Sequence, residues 1–249
     1  MVHSILIIGQ SNMGGRGFAQ DVEPIDRERL YVLRNGRWRK LYVPVNPDRV
    51  TSGINLVESF AYQYGVDHNV DVGIIPCADG GTSLSQWMPG TLLFDHACYM
   101  AELAARTSTI AAVLWHQGES DCYEDREPLY KERLTEIINA FRDKLNLYDV
   151  PFITGGLGDF LAERDERYAI YYPKINQTLK SMADDSKRIG FVPATGLESN
   201  GDNLHFSAPA LREFGLRYYE EFLRLEDKNK VFEERNTFDS GIVNALEAL

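Results

Sequence analysis

Five short apolar runs, each leading through a polar loop into a helical stretch, set the strongest limit on how this chain can fold. They lie at 5–8, 70–75, 110–115, 151–154 and 189–192. Runs that are apolar at consecutive positions read as strands buried on both faces. Segments 55–64, 94–106, 129–145, 171–182 and 209–225 read as helices between and after them. Strand alternating with helix implies right-handed crossovers and a parallel sheet covered on both sides. The expected fold is therefore α/β: a flavodoxin-like three-layer sandwich with a five-stranded parallel sheet ordered 2-1-3-4-5. No linker or repeat interrupts the 249 residues, so one domain over 1–249 is expected. Asn35-Gly36, between the apolar runs 30–33 and 38–43, signals a hairpin. It reads as an excursion from the main sheet, near 30–43, that rims the site. From about residue 226 the chain is a charged tail, mildly apolar at Ile242, Val243, Leu246 and Leu249.

Composition narrows the partners. A net charge of −11 argues against nucleic acid and against an anionic membrane, since both call for a basic face. No apolar run reaches transmembrane length. The first residues carry no basic and apolar leader pattern, so a cytoplasmic location is expected. Cys77, Cys98 and Cys122 are odd in number and lack metal-ligand spacing. A disulfide framework and a structural metal are both disfavoured, and the thiols read as small core residues.

Four polar loops fall at the carboxyl ends of the expected strands, where open α/β sheets bind their ligands. The first is Gly9-Gln10-Ser11-Asn12-Met13. It places a serine on rigid backbone between a strand and a helix. The second carries Gly80-Gly81, the third Gln117-Gly118-Glu119, and the fourth Asp202-Asn203-Leu204-His205. Acyl transfer by a serine needs a nucleophile, a base, a group that orients the base, and donors for the oxyanion. Each loop offers a candidate for one of these needs. Ser11 is the candidate nucleophile. Asp202 and His205, three apart, allow the carboxylate to hold one imidazole nitrogen while the other faces Ser11. The N–H of Ser11, an N–H of Gly80 or Gly81 and the Gln117 amide are candidate oxyanion donors. Glu119 is a second carboxylate, either an alternative acid for His205 or a brace for its own loop. Gln10, Asn12, Arg16 and Trp87 are possible substrate contacts, Arg16 to a carboxylate and Trp87 to a sugar face. His116 is read as a supporting residue beside the site.

These ordered blocks, with Trp115-His116-Gln117-Gly118-Glu119-Ser120-Asp121 the most distinctive, resemble the SGNH (GDSL-type) hydrolase superfamily. Within it they resemble the sialate O-acetylesterase and acetylxylan-esterase-like branch, carbohydrate esterase family six. The likeness runs from about residue 6 to 225. It implies a flavodoxin-like fold and cofactor-free, metal-free removal of acetyl groups from sugar hydroxyls. It also implies Ser11 as nucleophile, His205 as base, and a glycine of the 80–81 pair with Gln117 in the oxyanion hole. The implied partner is a small acetylated sugar or oligosaccharide, of xylo-oligosaccharide or sialic acid type. An oligomer is possible. Two alternatives keep the frame and change the function. One is a thioesterase or lipase-type hydrolase. The other is a non-catalytic domain whose Ser11 loop cradles a phosphate or flavin.

Overall fold

A computed structural model describes residues 2–186 and 188–226. The expected charged tail lies outside the described residues from 227 onward. The chain opens with β1 (Val2–Gly9) and a single turn of helix, α1 (Ser11–Gly14). A hairpin follows, β2 (Leu30–Arg34) and β3 (Arg37–Lys40). Then come α2 (Val57–His68), β4 (Asp71–Pro76), α3 (Leu92–Ala105), β5 (Ser108–His116) and α4 (Tyr130–Leu145). The last elements are β6 (Phe152–Gly155), α5 (Glu166–Asp184), β7 (Ile189–Val192) and α6 (Ala208–Leu225).

The strands form one seven-stranded sheet in the order β3-β2-β4-β1-β5-β6-β7. Five adjacent strands, β4-β1-β5-β6-β7, reproduce the expected 2-1-3-4-5 order, all parallel. The count of five is corrected to seven. The Asn35-Gly36 hairpin is no excursion from the sheet. β2 pairs in parallel with β4 through Leu30, Tyr31 and Val32, and β3 adds one antiparallel edge. The reason lies in burial. Leu30, Val32 and Leu33 are buried, so β2 needs a covered sheet face on each side. The exposed Arg37, Arg39 and Lys40 make β3 a charged edge, which discourages further strand pairing.

The consecutive apolar residues of β1 show why the sheet is sandwiched. Ile5 and Ile7 face the core built with α2 and α6, while Leu6 and Ile8 face the core built with α3, α4 and α5. Each such side chain, fully buried, contributes about 1.5–3 kcal/mol. On α6, Leu211, Phe214, Tyr218, Phe222 and Leu225 recur every three or four residues and form its buried stripe. Ser207 caps this helix by accepting from the Ala210 N–H at 3.3 Å, and Pro209 occupies its first turn. That fixed start lies two residues beyond His205. No helix among the described residues is long and apolar enough to cross a membrane.

Candidate active site

β1 and β5 lie side by side at the point where the sheet reverses its winding. Open α/β sheets form their ligand crevice there. The two strands end together at Gly9 and His116, and the Gln10 N–H donates to the His116 carbonyl at 2.9 Å. Gly9 has φ +126°, and a Cβ at this position would collide with the His116 carbonyl. A glycine is therefore needed to bring the Ser11 loop against the Gln117 loop.

Ser11 sits in the first turn of α1, nearly buried. Its Oγ is 3.0 Å from His205 Nε2, and His205 Nδ1 is 2.6 Å from Asp202 Oδ2. The other carboxylate oxygen of Asp202 accepts the N–H groups of Leu204 and His205, both at 2.8 Å. A single aspartate thus shapes the turn and holds the ring. Partial burial raises the Asp202 carboxyl, but the N–H groups and ring of His205 and the Leu204 N–H outweigh it and leave it below the usual carboxylate range. The left-handed Asn203 (φ 55°) lets the turn close, and Arg164 Nη1 donates to the Asp202 carbonyl at 2.6 Å.

The second carboxylate, Glu119, is not on His205. It is buried, 3.3 Å from His116 Nε2, and accepts from Asn12 Nδ2 at 2.5 Å. Burial raises its carboxyl, and His116 and Asn12 reverse that to a net lowering. Asn12 in turn donates to the Leu204 carbonyl at 3.1 Å and accepts from the Phe206 N–H at 3.1 Å. His116, Glu119 and Asn12 therefore form a buried strut that ends on both flanks of His205. Of the two roles open to Glu119, the geometry matches the brace.

The expected substrate contacts are placed differently. Trp87 is fully buried, edge-on to Trp115, with its Nε1 donating to Thr82 at 3.0 Å. It offers no face to a sugar. Arg16 is buried in a two-pronged ion pair with Asp48, at 2.7 and 3.1 Å, so its charge is already met. Gln10 is buried and its Oε1 takes N–H groups from Gln117, Gly118 and Ser120. Asn12 belongs to the strut. All four are scaffold residues here.

The oxyanion candidates are sorted as well. Gly80 N–H donates to Asp48 Oδ2 at 2.8 Å and is not available. The Gly81 N–H meets no acceptor among the described residues. The N–H of Ser11, in the first turn of α1, has no acceptor within that helix. Gln117 departs from its expected role. Its side chain is fully buried, and its amide nitrogen lies 2.5 Å from Asp121 Oδ2, 3.1 Å from the Thr82 carbonyl and 3.2 Å from Gln10 Oε1. Burial holds the Asp121 carboxyl above its usual range despite Gln117 and the Leu84 N–H. The amide hydrogens are spent on acceptors of the three neighbouring loops.

Sequence reasoning missed Asp48, Arg164 and Asn46, whose amide donates to the Ala78 carbonyl at 2.9 Å and accepts the Ala78 N–H at 3.1 Å. Asp48 contacts Arg16 and Gly80 across 32 residues on either side, and nothing local in Asn46-Pro47-Asp48-Arg49 marks it. The one signal was a polar turn directly after the hairpin. The three cysteines are buried and free, and burial pushes their thiols up. Among the described residues no group of His, Cys, Asp and Glu is arranged to hold a metal ion.

A doubly wound sheet with serine, histidine and aspartate in hydrogen-bonded series at its carboxyl edge defines a hydrolase of the SGNH type. The family follows from the sequence match. Residues 2–224 match the carbohydrate esterase family of sialic acid-specific acetylesterases, and the chain belongs to that family and is an esterase. It is 26% identical over 242 residues to a probable carbohydrate esterase of Arabidopsis thaliana, spanning 88% of this chain and 89% of the relative. The X-ray structure of an Arabidopsis thaliana protein superposes with a TM-score of 0.79 at 26% identity, covering 89% of this chain and 98% of that one. The crystal structure of NanS superposes at 0.72 with 18% identity, covering 90% and 97%. A carbohydrate acetylesterase from Xanthomonas citri superposes at 0.62 with 19% identity, covering 87% of this chain and 55% of that one. The last two share the fold.

Proposed function

We propose that the protein is a serine O-acetylesterase of acetylated sugars, of the xylo-oligosaccharide or sialic acid type. The observation that carries this reading is the series Ser11 Oγ, His205, Asp202, joined at 3.0 and 2.6 Å. Ser11 Oγ attacks the acetyl carbonyl while His205 Nε2 takes its proton. Asp202 keeps the other ring nitrogen protonated and stabilises the imidazolium that forms. The tetrahedral oxyanion is held by the N–H groups of Ser11 and Gly81. His205 then protonates the departing sugar hydroxyl. Water, deprotonated by His205, releases acetate and restores Ser11. Gln117 and Gln10 carry no charge in this scheme; they fix the loops against each other.

The sugar-ester part of the reading is supported by the family description and by the carbohydrate acetylesterase of Xanthomonas citri among the structural relatives. The test is hydrolysis of 4-nitrophenyl acetate and longer acyl esters by wild type and Ser11→Ala. Cleavage fastest on acetate, with a loss of about 10⁴-fold or more in the mutant, is expected. Preference for long acyl chains would favour the lipase or thioesterase alternative. An unimpaired mutant would refute the nucleophile. Acetate release from a panel of acetylated xylo-oligosaccharides and sialic acids then identifies the sugar.

A further inference from the structure

Arg49 meets the glycine loop at two points and its own neighbour at a third. Its Nη2 donates to the Gly80 carbonyl at 3.0 Å, and its Nη1 donates to the Asp48 carbonyl at 2.8 Å and lies 2.8 Å from Asp79 Oδ1. Its side chain is nevertheless half exposed. Asp48 works from within. Its carboxylate takes the Gly80 N–H and the buried Arg16 guanidinium, which holds it below the usual range against the effect of burial. Both peptide groups of Gly80 are therefore held, the N–H by an anion and the carbonyl by a cation.

Gly80 stands directly beside the nucleophile: a Cβ built on it would lie 3.6 Å from Ser11 Cβ. The Gly80 carbonyl and the Gly81 N–H belong to one planar trans peptide, so they point in opposite directions. Fixing the carbonyl on Arg49 fixes the direction of the Gly81 N–H. A guanidinium on the carbonyl oxygen also draws charge through the amide and strengthens the N–H as a donor. That N–H is the donor of the glycine pair with no acceptor of its own.

We propose that Arg49 is a positioning residue that aims and polarises the Gly81 N–H for the oxyanion. The inference rests on the esterase reading of Ser11 and adds a residue that neither the sequence motifs nor the Ser11–His205–Asp202 series includes. A surface arginine that merely anchored the loop would contribute little, because exposed ion pairs are weak. The anchoring is already done by the buried Arg16–Asp48 pair. Arg49 is thus free to matter for turnover more than for stability.

The experiment compares wild type, Arg49→Ala, Arg49→Lys and Ser11→Ala on 4-nitrophenyl acetate, with inactivation by a 4-nitrophenyl phosphonate in parallel. The phosphonate forms a tetrahedral adduct whose oxygen needs the same donors. For Arg49→Ala, kcat is expected to fall about 10-fold, with KM within about 2-fold, since part of one oxyanion donor is lost. Phosphonylation should slow in proportion. Arg49→Lys should recover part of both rates because a cation returns to the carbonyl. The thermal midpoint of each Arg49 variant should stay near that of wild type. Unchanged kcat, a loss confined to KM, or equal losses in the alanine and lysine variants would each overturn the proposal. If wild type is active, Ser11→Ala is dead and Arg49→Ala equals wild type, the Arg49 role alone fails. If wild type neither turns over ester nor reacts with phosphonate, the esterase reading fails and takes this one with it.

Discussion

Two histidine–carboxylate pairs meet at this site with the same spacing, and their surroundings set them apart. His205 and Asp202 are three residues apart, as are His116 and Glu119. The first pair is partly open, 18% and 43% exposed, with a 2.6 Å contact. The second is closed, 0% and 2% exposed, at 3.3 Å. The open pair has a hydroxyl 3.0 Å from its free nitrogen. The closed pair has an amide, Asn12, that pins the backbone on either side of His205. Residue type and spacing supply the pair in both cases. Burial and the third partner set them apart: one pair faces a hydroxyl, the other pins a loop.

The largest effect should separate the two acids. Asp202→Asn is expected to lower kcat/KM about 10³–10⁴-fold on 4-nitrophenyl acetate, through loss of the tautomer and of imidazolium stabilisation. Glu119→Gln keeps an oxygen for Asn12 and should cost about 10-fold or less, since it disturbs only the strut. The reverse order would break the comparison, because it would make Glu119 the acid that serves His205. A harsher change sharpens the same point. Glu119→Ala leaves the Asn12 amide buried with one partner fewer, so stability should fall by about 1–3 kcal/mol in urea unfolding. Equal stability would mean that the strut bears no strain of its own.

The two pairs also differ in how well the sequence announced them. The five adjacent strands β4-β1-β5-β6-β7 and their order were legible because a strand buried on both faces leaves an uninterrupted apolar run. Ser11 was legible because it stands where a strand ends, and Asp202 and His205 because Asp-x-x-His is a local spacing. What the Glu119 carboxylate does was not, since its partner Asn12 lies 107 residues away and burial cannot be read from a single glutamate. The same holds for Gln117, an amide whose three acceptors come from the second loop, the first loop and its own. Trp87 misled for a related reason. A tryptophan after a glycine loop fits a sugar platform, but Thr82 and Trp115 draw it inward. Asn35-Gly36 signals only the local pairing of β2 with β3, whereas the pairing of β2 with β4 joins residues about 42 apart and leaves no local mark.

The smallest expected difference lies in acid stability, and its sign follows from the carboxyl shifts. Asp202 and Glu119 are both held below their ordinary values in the fold. Each therefore contributes stability that is present above its unfolded pKa, about 3.9 for aspartate and 4.3 for glutamate, and is lost as pH falls through the folded value. Asp121 is held above its ordinary value, so its contribution is present below the unfolded pKa and is lost as pH rises. The half-exposed Asp202 is screened by solvent, whereas Glu119 is not. Urea midpoints between pH 5 and 3, set against about 4 for an unfolded carboxyl, should fall less steeply in Glu119→Gln than in wild type. Asp202→Asn should keep nearly the wild-type slope. Turnover and acid stability would then rank the two acids in opposite orders. If one variant dominated both measurements, a single acid would be both brace and partner of the base, and the distinction between the open and the closed pair would fall.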